Sequence, residues 1–164
     1  REVLEQHVRQ LAPHARLLRR LDLPAGTEHG SYFAPMIFEI ERLDNLQHEV
    51  FGPVLHIVRY GANQLDAVIE AVNASRYGLT LGIHSRIDER VRHIASRVHV
   101  GNIYVNRNMI GAVVGVQPFG GEGLSGTGPK AGGPNYLQRF ATERTLTLNT
   151  AAVGGNTALA SLPE

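Results

Sequence analysis

An α/β fold is predicted for this chain, on three observations. Short β-branched runs alternate with helical patterns of about a dozen residues. Gly-Pro and Gly-rich breaks separate those runs. The balance of 43% hydrophobic against 19% charged residues is that of a packed globular layer. Such alternation implies a mostly parallel sheet with flanking helices. The 164 residues suffice for one compact domain or for a piece of a larger one. With arginine at position 1, the sequence reads as a segment of a longer protein.

The elements follow in order. Residues 2–20 predict an amphipathic helix, because Leu4, Val8, Leu11, Ala15 and Leu18 recur at spacings of four and three. Pro13 should kink or split it. Pro24 to Ser31 is a turn region. Met36 to Ile40 suits a strand, although periodicity alone does not separate it from a buried helix. After Gly52-Pro53, Val54 to Tyr60 reads as a β-branched strand. Leu65 to Ser75 predicts a helix with Leu65, Val68, Ile69 and Val72 on one face. Leu79 to His84 returns to strand.

Asp88 to Val98 is the next helix, with Val91, Ile94, Ala95 and Val98 inward and Ser85 placed to cap it. Gly101 to Asn106 is a further short strand. From Gly111 to Pro134 the chain is Gly-rich and irregular. A brief helical stretch over Tyr136 to Ala141 follows. Arg144 to Asn149 alternates Leu146 and Leu148 with Thr145 and Thr147, as a half-exposed strand does. The small-residue tail from Ala151 predicts a loosely held arm. There is no internal repeat.

Composition narrows the function. The net charge is +1, from 16 basic and 15 acidic side chains, and no basic stripe forms. Nucleic-acid binding by this segment has no support. No apolar run approaches a membrane span. Cysteine is absent, which excludes disulfides, thiolate metal sites and a cysteine nucleophile within these residues, and is compatible with a reducing cytoplasm.

Several motifs fail on inspection. Gly121, Gly123 and Gly126 have the spacing of a dinucleotide fingerprint, but that device needs a strand-to-helix turn. Pro118 and Pro129 bracket these glycines and no helix pattern opens there, so a structural loop is the better reading. Lys130 lacks the following Ser or Thr of a phosphate-binding loop. Among the eight histidines, His7 and His14 share the predicted helical face, and His93 and His99 lie six apart. None has a metal-binding spacing.

The segment Glu49-Val50-Phe51-Gly52-Pro53 is different. A carboxylate and a ring on alternate positions, stopped by Gly-Pro before a strand, can face one cleft. A carboxylate suits the paired hydroxyls of a ribose, and a ring suits a flat heterocycle. Taken alone, a loop with one core phenylalanine is the better reading.

The ordered series decides between them. Glu49-x-Phe51-Gly52-Pro53, then Asn73-x-x-x-Tyr77-Gly78-Leu79, then Gly101-Asn102-Ile103-Tyr104-Val105-Asn106, then Gln117-Pro118-Phe119-Gly120-Gly121 resembles the aldehyde dehydrogenase superfamily. The resemblance covers essentially the whole chain. It implies that Glu49 holds the nicotinamide ribose of NAD and that Phe51 packs beside the nicotinamide. The run from Asn106 to Gly121 is similar to the glutamate-semialdehyde (pyrroline-5-carboxylate) dehydrogenases. Ser125 to Pro134 and Asn149 to Asn156 are similar to the bacterial bifunctional proline utilization A family.

The narrower resemblance implies that Gly111 and Ala112 offer backbone N–H groups to the α-carboxylate of glutamate semialdehyde. Small residues admit an anion to main-chain donors. It also implies that Phe119 contacts the aliphatic stem of that substrate.

The fold implied is the C-terminal part of an aldehyde dehydrogenase catalytic domain over residues 1–141. A strand of an oligomerisation flap over 142–150 would pair with a partner subunit, and 151–164 would be a C-terminal arm. The family reaction needs an attacking cysteine and a glutamate that activates water. Both belong to upstream sequence, so the segment alone is expected to be inactive. An FAD-dependent proline dehydrogenase half would also lie upstream, in a cytoplasmic parent. The competing readings are a free-standing non-catalytic binding or oligomerisation module derived from an aldehyde dehydrogenase, and an unrelated structural α/β domain.

Overall fold

The computed structural model describes residues 1–113 and 115–149. The expected arm at 151–164, and Thr150 of the expected flap strand, lie outside the described residues.

The chain opens with helix α1, Glu2–Leu11, which buries His7 and Leu11. The helical spacing continues to Leu18, but the helix does not. Proline has no N–H to give and its ring opposes the carbonyl four residues back. The chain therefore turns at Ala12 to His14, where the His14 N–H reaches the Leu11 carbonyl at 2.8 Å. Residues Ala15–Arg20 then form strand β1. The predicted single helix over 2–20 is thus a helix, a turn and a strand.

Strand β2, Met36–Ile40, lies between β1 and strand β3, Val54–Val58. It runs antiparallel to β1, with a register shift between Leu17 and Arg19, and parallel to β3. Met36, Phe38 and Ile40 alternate inward, as a two-residue period requires. They form a core with Leu11, against which Val8, Phe33, Leu46, Val54 and Val58 pack. On the outer face Glu39 accepts from Arg16 at 2.6 Å and from Arg59 at 3.1 Å, linking all three strands.

Helix α2, Leu65–Ser75, buries Ile69 as its spacing predicts. It leads into the two-residue strand β4, Tyr77–Gly78, and then β5, Thr80–Ile83. Helix α3, Asp88–Ala95, is shorter than expected. Ser85 does not cap it: the Ser85 hydroxyl accepts from the Ile87 N–H at 3.1 Å, in a local turn before the helix. Asp66 of α2 pairs with His93 at 2.6 Å and with Arg97 at 2.8 Å, which ties α2 to the α3 end.

Strand β6, Asn102–Val105, pairs parallel with β5. Strand β7, Glu122–Gly123, pairs antiparallel with β4. The α/β class stands. The described pairing is mixed, however, with two parallel and two antiparallel contacts rather than mostly parallel ones. Parallel pairing needs a crossover, whereas β1 reaches β2 through an irregular loop that reverses the chain.

The helical turn expected at 136–141 is a 3₁₀ turn, Leu137–Phe140. Residues 142–149 join no sheet, and Leu146 and Leu148 are 79% and 74% exposed. An alternating segment becomes a strand only where a neighbouring strand supplies hydrogen bonds, and none does so among the described residues.

Much apolar surface stays uncovered. Ile110, Phe51 and Val116 are 91%, 84% and 73% exposed. Faces of this size and character are normally covered by other protein.

Candidate active site

The segment bearing Glu49 and Phe51 is held at both ends. On its C-terminal side the Pro53 carbonyl accepts from the Met36 N–H at 3.0 Å, feeding the chain into β3. On its N-terminal side the Glu49 N–H donates to the Tyr77 hydroxyl at 3.1 Å. The Glu49 side chain is exposed, and so is the Phe51 ring. A free carboxylate and a free ring, two residues apart on a tethered segment, can meet a diol and a flat heterocycle. The residues present therefore fit the nucleotide expected from the sequence. The nearby groove of about 370 Å³, lined by Leu21, Met36, Pro53 and Leu55, runs beside this segment without including either residue.

Tyr77 owes its position to β4 and to Asn73. Asn73 donates to the Arg97 carbonyl and accepts from the His99 N–H, both at 2.8 Å. One amide side chain thus joins the last turn of α2 to the approach to β6.

The loop after β6 starts at Asn106, a non-glycine residue with φ +54. Asparagine tolerates this left-handed conformation better than most residues. Its side chain also accepts from the Ser85 N–H and donates to the Ser85 carbonyl, each at 3.0 Å. The loop then reaches Gly111 at φ +104, where a side chain would be strained although the space around it is open. Among the described residues nothing accepts from the N–H of Gly111 or of Ala112. Downstream, the Gln117 side chain accepts from the Val113 N–H at 3.2 Å and closes the loop. Two unclaimed donors beside a left-handed glycine can receive an anion.

Phe119 is the most firmly held of the five predicted residues. It forms a two-way backbone bridge with Ala131, at 3.1 and 3.0 Å. Its neighbours are clamped by the buried Asn102, which donates to the Pro118 carbonyl at 3.0 Å and accepts from the Gly120 N–H at 3.2 Å. The Lys130 ammonium donates to the Gly101 carbonyl. Phe119, Asn102 and Lys130 thus form one unit, and Tyr77 joins it through β4, since the Gly101 N–H donates to the Gly78 carbonyl at 3.0 Å. No hydrogen bond or ion pair among the described residues joins 49–51 directly to 111–112.

The holding groups Tyr77, Asn102 and Lys130 were not singled out from the sequence. All three lie inside the recognised stretches, Lys130 within Ser125 to Pro134, which was the available signal. The histidines gather no metal site among the described residues. His7 pairs instead with His56, with Nε2 atoms 2.9 Å apart. His14 falls outside the helix it was expected to share with His7.

The aldehyde dehydrogenase family model matches residues 1–146, the greater part of the sequence. The chain belongs to the aldehyde dehydrogenase family. It is 53% identical over 139 residues to the bifunctional protein PutA of Rhizobium meliloti, covering 85% of this chain and 11% of that one. Proline utilization A from Bradyrhizobium japonicum superposes with a TM-score of 0.80 at 58% identity, covering 92% of this chain and 15% of that structure. The 1-pyrroline-5-carboxylate dehydrogenase from Thermus, solved with bound NAD, gives a TM-score of 0.72 at 35% identity, covering 85% of this chain and 27% of its own. The chain thus spans about a tenth of the PutA relative's length. Among the described residues no helix is long and apolar enough to cross a membrane.

Proposed function

We propose that this chain is the C-terminal part of the catalytic domain of an NAD-dependent L-glutamate γ-semialdehyde dehydrogenase. The enzyme converts the semialdehyde to glutamate in proline catabolism, within a bifunctional cytoplasmic protein whose other half is an FAD-dependent proline dehydrogenase. The observation that carries the substrate assignment is the pair of N–H groups at Gly111 and Ala112 that meet no acceptor among the described residues, Gly111 itself being left-handed. The support for the wider reading is the likeness to PutA and to 1-pyrroline-5-carboxylate dehydrogenase over most of the chain.

In this reading the residues divide the work. Glu49 accepts from the ribose hydroxyls and Phe51 lies against the nicotinamide, so that the ring is fixed relative to the aldehyde. NAD, when bound, accepts the hydride released as the aldehyde carbon is oxidised. Gly111 and Ala112 donate to the α-carboxylate, at the end of the substrate remote from the reacting carbon. Phe119 packs on the methylene stem and excludes water from it. Binding energy at the carboxylate and stem then orients the aldehyde. The cysteine that attacks it is absent from these 164 residues. The 142–150 segment, exposed over residues 142–149, serves as the flap strand that pairs with a second subunit.

The test is reduction of NAD with glutamate semialdehyde. The 164-residue chain alone should stay at the uncatalysed background, while the full-length enzyme carrying it turns over. In that enzyme Glu49→Ala removes charge-assisted hydrogen bonds, each about 1.5–3 kcal/mol. It should raise the KM for NAD and lower kcat. Sustained turnover by the pure chain, or unchanged NAD kinetics in both Glu49→Ala and Phe51→Ala, removes the assignment.

A further inference from the structure

We infer that Asn102 is a positioning residue for substrate selection, acting through Phe119. This rests on the reading of Phe119 as the stem contact. Asn102 is 8% exposed and lies at the start of β6, in register with Thr80 of β5. Its amide spends both ends on the residues flanking Phe119: Nδ2 donates to the Pro118 carbonyl and Oδ1 accepts from the Gly120 N–H. Phe119 is bonded on its own backbone to Ala131.

Three consecutive residues of an otherwise irregular stretch are thus pinned by one side chain and one bridge. A Gly-rich loop has no intrinsic preference for one conformation, so the ring direction depends on these bonds. The asparagine does this work because one planar group offers a donor and an acceptor together. Aspartate has the same shape and lacks the donor. As a carboxylate it would set an oxygen against the Pro118 carbonyl. When protonated it can donate again. Burial raises the pKa of such an introduced carboxyl group, which brings this recovery within reach of ordinary buffers.

The test compares Asn102→Asp with the unsubstituted full-length enzyme, on glutamate semialdehyde and on acetaldehyde, which lacks the carboxylate and keeps only one carbon of the two-methylene stem. At pH 8 the KM for the semialdehyde should rise about tenfold, the effect of losing one buried hydrogen bond. The effect on kcat should be smaller, and kcat/KM for acetaldehyde should change less than about twofold. The KM ratio of variant to parent should shrink as pH is lowered to 6. Equal proportional losses on the two aldehydes, or a KM ratio that ignores pH, overturn the positioning role.

If Asn102→Asp does not accumulate folded, Asn102→Ser carries the same substrate comparison. The clamp itself is tested in the full-length enzyme by amide exchange. Asn102→Ala should speed exchange at Gly120 while Ile103 and Tyr104 keep their protection. Unchanged exchange at Gly120 overturns the clamp whatever the enzyme's substrate. A parent enzyme that does not prefer the semialdehyde to acetaldehyde overturns the substrate role instead, and leaves the clamp to be decided by Gly120.

Discussion

The Tyr77 hydroxyl accepts a hydrogen bond from the Glu49 N–H at 3.1 Å, across 28 residues of sequence. It is the one side-chain hydrogen bond to the 49–53 segment among the described residues, and it comes from the strand that also abuts Gly101. The segment that offers the carboxylate is therefore located by the same unit that holds Phe119.

Tyr77→Phe removes this bond and leaves the ring. One neutral hydrogen bond contributes about 0.5–1.5 kcal/mol. In the full-length enzyme the KM for NAD should rise about two- to tenfold, with little change in the KM for the aldehyde. A shift in the aldehyde KM with none in the NAD KM would show that Tyr77 does not serve the Glu49 segment.

Gly101→Ala tests the close approach between β6 and the Phe119 turn. An added Cβ would meet the Gly120 carbonyl oxygen, and would come within 2.9 Å of both the Gly120 carbonyl carbon and the Gly121 Cα. These are backbone atoms and cannot rotate away. Overpacking of this kind costs about 1–3 kcal/mol. The urea midpoint of the variant should fall accordingly. An unchanged midpoint would mean that the two segments are not packed as described.

The elements that could be read from the sequence were those whose signal is local. Leu65–Ser75 is a helix because Leu65, Val68, Ile69 and Val72 share a face, and no proline interrupts them. Ala15–Arg20 was misread because Ala15 and Leu18 continue a helical spacing. What makes it a strand is pairing with Met36–Ile40, which the local pattern does not contain. The 144–149 alternation is a strand pattern that joins no sheet among the described residues. At the site, the family resemblance of the motifs picked out Glu49, Phe51, Gly111, Ala112 and Phe119 as candidates. The supports Tyr77, Asn102 and Lys130 reach across 28, 16 to 18, and 29 residues, and only the fold makes those contacts visible.

The His7–His56 pair predicts a loss of stability in mild acid. The rings meet edge to face with Nε2 atoms 2.9 Å apart, so one must donate and the other accept. Burial, and then the neighbouring His48, push the His7 pKa below its ordinary value of 6.5. Burial, and then His7, do the same to His56. As the pH falls, the unfolded chain therefore takes up these protons first. The contribution is complete above the unfolded value and is lost as pH drops through it toward the depressed folded values. The exposed carboxylates Glu39 and Asp66, held low by hydrogen bonds from Arg16 and His93, act only at more acid pH. Between pH 7.5 and 5.5 the Tm should fall, and it should fall less in His56→Gln, which titrates one ring fewer. An equal fall in both would remove the pair as the cause.

The substrate assignment turns on Gly111. Its φ of +104 and the open space around it mean that a side chain there strains the backbone rather than colliding with a neighbour. Gly111→Val should therefore shift the loop and withdraw the Gly111 and Ala112 donors from the α-carboxylate. The most direct measurement is kcat/KM in the full-length enzyme for glutamate semialdehyde and for propanal, before and after this substitution, on protein whose Tm is unchanged. The account predicts that the preference for the semialdehyde collapses by about tenfold or more, since the lost anchor bonds a charged group, while propanal is oxidised nearly as before. Proportional loss of both activities in a well-folded variant would contradict it.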